Sequence, residues 1–144
     1  MREHLEIIKR ERIVCTWTDG SIKEEYQIEK YQNFLKKLRD LWTDADDRFV
    51  LRMKDFFHLP SDTLFTVEVS NYGPLGWYHS GKRLLTINMN TDRDPKETIK
   101  HEIVHIVLDS YIRKYDISYS EKEQIVHQVE SFLLKSGETK VTTR

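Results

Sequence analysis

Residues 94 to 115, DPKETIKHEIVHIVLDSYIRKY, constrain the architecture of this chain more than any other stretch. Asp94 suits an N-cap, Pro95 the first helical position, and Glu97 completes a capping box. A helix is therefore predicted from residue 95 to about 115. Ile99, Ile103, Ile106, Val107, Leu108 and Ile112 make it apolar over much of its circumference, as in a helix buried among other elements. Yet it carries two histidines four residues apart, in HEIVH at 101–105.

The rest of the chain supplies the elements around it. TLFTVEVS, from residue 63, alternates and is β-branched, so it reads as a strand. NYGPLG reads as a loop, and GWYHSGKRLLTINMN as two short strands turning at Ser80-Gly81. Before these, a strand is expected around residues 13 to 18, with Asp19-Gly20 as a turn. Two amphipathic helices follow. The first carries Tyr31, Phe34, Leu35, Leu38, Leu41 and Trp42; the second carries Phe49, Val50, Met53, Phe56 and Phe57, with Pro60 beyond its end. A last helix, EKEQIVHQVESFLL, is expected to start at Ser118 or Ser120, ahead of a polar, frayed tail at 136–144. The charged stretches KEEYQIEK and DADDR read as solvated faces, and His4 and His58 have no evident companions.

This pattern predicts an α+β fold: a short, mostly antiparallel sheet over the HExxH helix, then a second helix. With 144 residues the chain suits one domain. Residues 1–60 form a strand and two helices packed on a core of 61–135, with 136–144 as the tail. A net charge of −1 gives no electrostatic case for nucleic acid or an anionic membrane. A single cysteine rules out an internal disulfide and a cysteine-built zinc site. The absence of a membrane-length apolar run or a signal-like N-terminus makes the cytoplasm the expected location.

Residues four apart on a helix share a face, so His101 and His105 can aim imidazole nitrogens at one zinc ion. Glu102 is rotated away from that point but can reach a water held there and take its proton. Two buried histidines can also be purely structural. At this composition, however, HExxH arises by chance in only about one chain in fifty. A catalytic zinc needs a third protein ligand. Glu123, His127 and Glu130, spaced four and three on the next helix, share one face and are the candidates. Glu123 is the first choice if Ser118 rather than Ser120 caps that helix; if Ser120 does, Glu123 serves its own helix end. His79 and Tyr78 are weaker candidates to stabilise an oxyanion, against a simpler reading as a turn histidine and a packed tyrosine. No Ser/His/Asp set, phosphate loop or basic aromatic surface is present.

HEIVH followed by EQIVH (123–127) resembles the zincin pattern of ImmA/IrrE-type gluzincins, whose ExxA(N/D) segment bears the glutamate ligand. The resemblance implies one zinc per chain on His101, His105 and Glu123, with His127 orienting the site beside them and Glu130 left to packing. It also implies that the strand before the helix binds an extended protein or peptide substrate by strand addition. Val126 and His127 stand where that family has a small residue and Asn or Asp. PLGWYHSGKRLLTIN…HEIVH is similar to the start of a SprT-like domain, without that family's later loop histidine. These resemblances span residues 64 to 134. They imply a zinc metallopeptidase with Glu102 as general base; the alternative is a zincin-fold binding or regulatory protein that keeps its metal without proteolysis.

Overall fold

The computed structural model describes the backbone of residues 1, 3–10, 13–15, 22–24, 28–71, 73–79, 81–112 and 115–142. Side chains are described for the same residues except 13–15, 22–24, 110–112 and 135–142. The element order is β1 (Leu5–Lys9), β2 (Ile13–Cys15), β3 (Ile22–Glu24), α1 (Ile28–Leu41), α2 (Asp44–Phe56), β4 (Phe65–Ser70), β5 (Gly76–Tyr78), β6 (Leu84–Asn88), α3 (Pro95–Ile112) and α4 (Tyr119–Thr142). The expected turn at Asp19-Gly20, and Ser80 of the second turn, lie outside the described residues. No helix among the described residues is long and apolar enough to cross a membrane.

The main sheet has the order β1-β4-β6-β5, and it is mixed. β1 pairs parallel with β4, β4 pairs parallel with β6, and only β5 runs antiparallel to its neighbour. This corrects the expectation of a mostly antiparallel sheet. After β4 the chain skips one position, lays down β5 at the edge, and returns between them as β6. Two reversals restore the original direction, so β6 ends parallel to β4. Gly81, at φ 76, supplies the left-handed residue of the return turn. β2 and β3 form a separate antiparallel pair.

Alternation along β4 sends Phe65, Val67 and Val69 to the helical side, where Leu85 and Ile87 of β6 join them. α3 lies against β5 and β6, and α1, α2 and α4 pack around it, which is why it is apolar on nearly every side. Ile99, Ile103 and Val104 are fully buried, each such side chain contributing about 1.5–3 kcal/mol. The predicted cap is present: Lys96 N donates to Asp94 Oδ1 at 3.0 Å. α3 is described as far as Ile112, and residues 113–114 of the predicted helix lie outside the described residues. α4 continues to Thr142, so the stretch expected to be a frayed tail is helical backbone there.

Two buried polar pairs tie the N-terminal elements to this core. Asp46 accepts from Thr43 N at 2.8 Å, closing the capping box of α2, and also from Lys96 at 3.2 Å and from Lys100 of α3. The DADDR stretch is therefore not simply a solvated face. Lys54, fully buried, reaches His4 Nδ1 at 2.9 Å and the Ser61 carbonyl at 3.0 Å, so His4 does have a companion. Burial pushes both Lys54 and His4 below their usual values, and for His4 the Lys54 charge adds to it.

β5, at the sheet edge, is held where it is by the loop before it. Asn88 N donates to Leu75 O at 3.0 Å, Asn88 Nδ2 to Gly73 O at 2.8 Å, and Asn90 Nδ2 to Asn71 O at 2.8 Å. Gly76 then passes so close to α3 that a Cβ there would meet Thr98 Cγ2 at 2.5 Å and Glu102 Oε2 at 3.5 Å. The absence of a side chain lets the edge strand rest against Thr98, with Glu102 in ordinary contact distance beside it.

Candidate metal centre

α3 presents His101 and His105 one turn apart, as the HEIVH spacing requires, with their Nε2 atoms 3.1 Å from each other. α4 crosses this face and brings Glu123 between them. Its Oε1 lies 3.0 Å from His105 Nε2, and its Oε2 lies 3.3 Å from His101 Nε2. Glu123 is available because Ser118, not Ser120, caps α4: Glu121 N donates to Ser118 Oγ at 3.3 Å, and Lys122 N to Ser118 O at 2.9 Å. Donors held about 2.0–2.1 Å from one tetrahedral ion stand about 3.3 Å apart. The separation of the two Nε2 atoms, and the distance from each to one oxygen of the Glu123 carboxylate, are close to that spacing, and nitrogen and carboxylate donors suit zinc. His101, His105 and Glu123 thus form a cluster able to hold a metal.

His101 Nδ1 hydrogen-bonds Glu130 Oε1 at 2.5 Å. A carboxylate on one ring nitrogen fixes the neutral tautomer whose other nitrogen offers its lone pair to a metal. Glu130, an alternative third ligand in the sequence reading, holds this place. His127, to which the sequence resemblance assigned the orienting role, is exposed, with its ring 5.4 Å from that of His101. A second set, His101, His127 and Glu130, is also close enough to share an ion. The hydrogen bond that His101 donates to Glu130 raises the His101 pKa above its usual value despite burial. Burial, and then the His101 charge, lowers that of His105.

Glu102 points into the same cleft, only 7% exposed, and burial pushes its carboxyl up to about 7. The cleft encloses about 660 Å³ and is lined by Leu75 and Gly76 of the edge-strand segment, by Glu102 and His101, and by Glu123, His127 and Glu130. Tyr78 and His79 do not line it. The Tyr78 hydroxyl donates to Asp109 Oδ1 at 3.3 Å, and His79 Nε2 lies 2.9 Å from Thr86 Oγ1. Neither is placed to meet an oxyanion there; among the described lining residues, Arg93 and His127 carry side-chain donors.

The roles of the two glutamates on α4 separate in one experiment. Glu123→Ala is expected to weaken zinc binding most severely, because it removes an anionic ligand. Glu130→Ala should weaken it about 10–100-fold, the usual effect of losing the partner of a ligating histidine. Zinc titrations of both variants check this; a Glu130→Ala chain that binds like wild type would leave that hydrogen bond without a metal role.

No family model matches the chain, and no curated relative matches it. Among solved structures, the chain is similar to the crystal structure of a Wss1 mutant from S. pombe. The likeness has 15% identity and a TM-score of 0.48, and covers 90% of this chain and 96% of that one. At that distance it assigns no residue a role. What fold and site define by themselves is an α+β chain with a His–His–Glu cluster able to hold a metal.

Proposed function

We propose that this chain is a zincin-like, zinc-dependent peptidase, with one zinc on His101, His105 and Glu123. The observation that carries the reading is Glu102: a buried carboxyl opening into the same cleft as His101 and Glu123 without being part of the cluster, and raised by burial to about 7 in the metal-free chain. A metal kept only for stability has no use for a desolvated acid beside it, whereas hydrolysis needs a group that accepts a proton and returns it near neutral pH. Zinc, when bound there, supplies the Lewis acidity that makes water a nucleophile at neutral pH. Glu102 takes the proton from the attacking water and hands it to the leaving amine. Glu130 keeps His101 in its ligating orientation. β5 pairs only with β6 in the described sheet, so its outer edge offers backbone donors and acceptors to an extended peptide. Gly76 brings that edge against Thr98, one turn before Glu102 on α3, so the edge runs beside Glu102.

Metal analysis of protein purified without an affinity tag, paired with a broad peptide-library digest, tests this. One zinc per chain together with cleavage is the expected result. A chain that stays free of metal after refolding with zinc would overturn the metal centre. A chain that holds zinc and cleaves nothing would be a binding protein.

A further inference from the structure

The two histidines of the cluster are held in different ways. His101 is oriented by Glu130, but His105 Nδ1 is buried and has no hydrogen-bond partner among the described residues. An imidazole without such a partner can rotate about its side-chain bonds unless packing stops it. What packs on it is Tyr78 of β5, whose ring lies 5.0 Å from that of His105, at 9° to it. That is a parallel stack, and it covers one face of the imidazole.

Tyr78 is in turn restrained at its far end. Its hydroxyl donates to Asp109, one helical turn beyond His105, and accepts from Lys122, the residue before Glu123. The Lys122 ammonium also sits 4.8 Å above the Tyr78 ring. The edge strand, the HExxH helix and the ligand-bearing helix therefore meet at one side chain.

We propose that Tyr78 is a positioning residue for the metal centre: clamped by Asp109 and Lys122, its stacked ring holds His105 in its ligating orientation, as a hydrogen bond does for His101. The proposal rests on zinc binding at His101, His105 and Glu123, but not on peptidase activity, and it is read without turnover. It also gives the edge strand a second task, since the strand offered to substrate carries the residue that steadies a ligand.

The test is zinc affinity, measured by competition with a chromophoric chelator, together with the visible d–d spectrum of the cobalt-substituted protein. Tyr78→Leu is expected to weaken zinc about 10–100-fold, the range seen when a ligating histidine loses its support, and to change the cobalt spectrum. Tyr78→Phe, which keeps the ring but loses the clamp, should fall between Tyr78→Leu and wild type. Lys122→Met separates the clamp from simple charge. Removing a cation beside a dication would by charge alone tighten zinc binding, whereas a loosened clamp weakens it. Weaker binding in Lys122→Met supports the proposal; tighter or unchanged binding overturns it, and this variant decides if Tyr78→Leu does not fold. A folded Tyr78→Leu with wild-type affinity and spectrum overturns this proposal alone. A wild-type chain that binds no zinc overturns the metal centre and the proposal together.

Discussion

Glu102→Gln is expected to keep zinc and to lose hydrolysis by about 10²–10⁴-fold, the usual contribution of a general base. The amide has the shape of the carboxyl but cannot take a proton from water. Zinc should stay, because His101, His105 and Glu123 make the cluster without Glu102. Metal content and kcat on a peptide recovered from the library digest give the two readouts. Loss of zinc, or activity within tenfold of wild type, would show the roles to be wrongly assigned. A pH dependence in the zinc-stripped protein adds an independent check. Burial raises Glu102 from 4.5 to about 7, so folding favours its protonated form. Stability from that preference is complete below pH 4.5 and is lost as the pH rises to 7, where the buried group must ionise. Zinc-stripped Glu102→Gln should therefore match wild type at pH 4 and exceed it at pH 8, by on the order of 1–3 kcal/mol.

The largest effect on stability is expected at Asp46. Asp46→Ala leaves the buried Lys100 ammonium without its carboxylate and opens the capping box of α2, at a cost of about 3–5 kcal/mol. Burial alone would raise the Asp46 carboxyl, but hydrogen bonds from Lys100, Thr43 and Lys96 outweigh it and hold the group below the usual carboxylate value. Its contribution is thus complete above the ordinary carboxylate range and is lost as the pH falls through the folded value. Urea unfolding should show the full gap between wild type and variant at pH 7 and a narrowing gap in acid. Asp46→Ala/Lys100→Met should recover part of the loss, since it removes the stranded charge beside Phe49, whose ring centre lies 5.2 Å from Lys100 Nζ. A single-variant loss under about 1 kcal/mol would mean that the pair is effectively solvated.

The sequence made these elements legible where the determinants were local. The cap of α3, the hairpin of β5 and β6, and the i,i+4 pair of HEIVH all depend on neighbours within a turn or two. The choice of Glu123 hung on which serine caps α4, and local pattern allowed both; the structure places the cap at Ser118. β1 was missed because LEIIK is short, lies among charges, and has its pairing partner far along the chain in β4. Strand direction is hidden for a related reason: sequence suggests pairing between consecutive strands, which in the main sheet holds for β5 and β6 alone. Helical spacing puts Glu130 on the face of Glu123 and His127 as a candidate third ligand, but does not show that it pairs with the far nitrogen of His101, a contact between two helices. The Asp46–Lys100 and Lys54–His4 pairs join residues on separate elements and leave no trace in any window of the sequence.

The parallel pairing of β1 with β4 also bears on how the chain assembles. Leu5 stands opposite Phe65, so this pairing closes a loop of roughly sixty residues, whereas Gly76 through Glu130 bring the cleft together from one continuous stretch. Contacts between such distant segments form slowly, while those among adjacent elements form early. The order of folding thus favours the cleft first, with β1 added at the opposite edge of the sheet. Loop-closure entropy grows only slowly with length, by about 0.6 kcal/mol for each doubling. The loops between β1 and β4 can therefore lengthen over evolutionary time at little entropic cost to the cleft, whereas α2 within that stretch stays tied to α3 through Asp46 and Lys100.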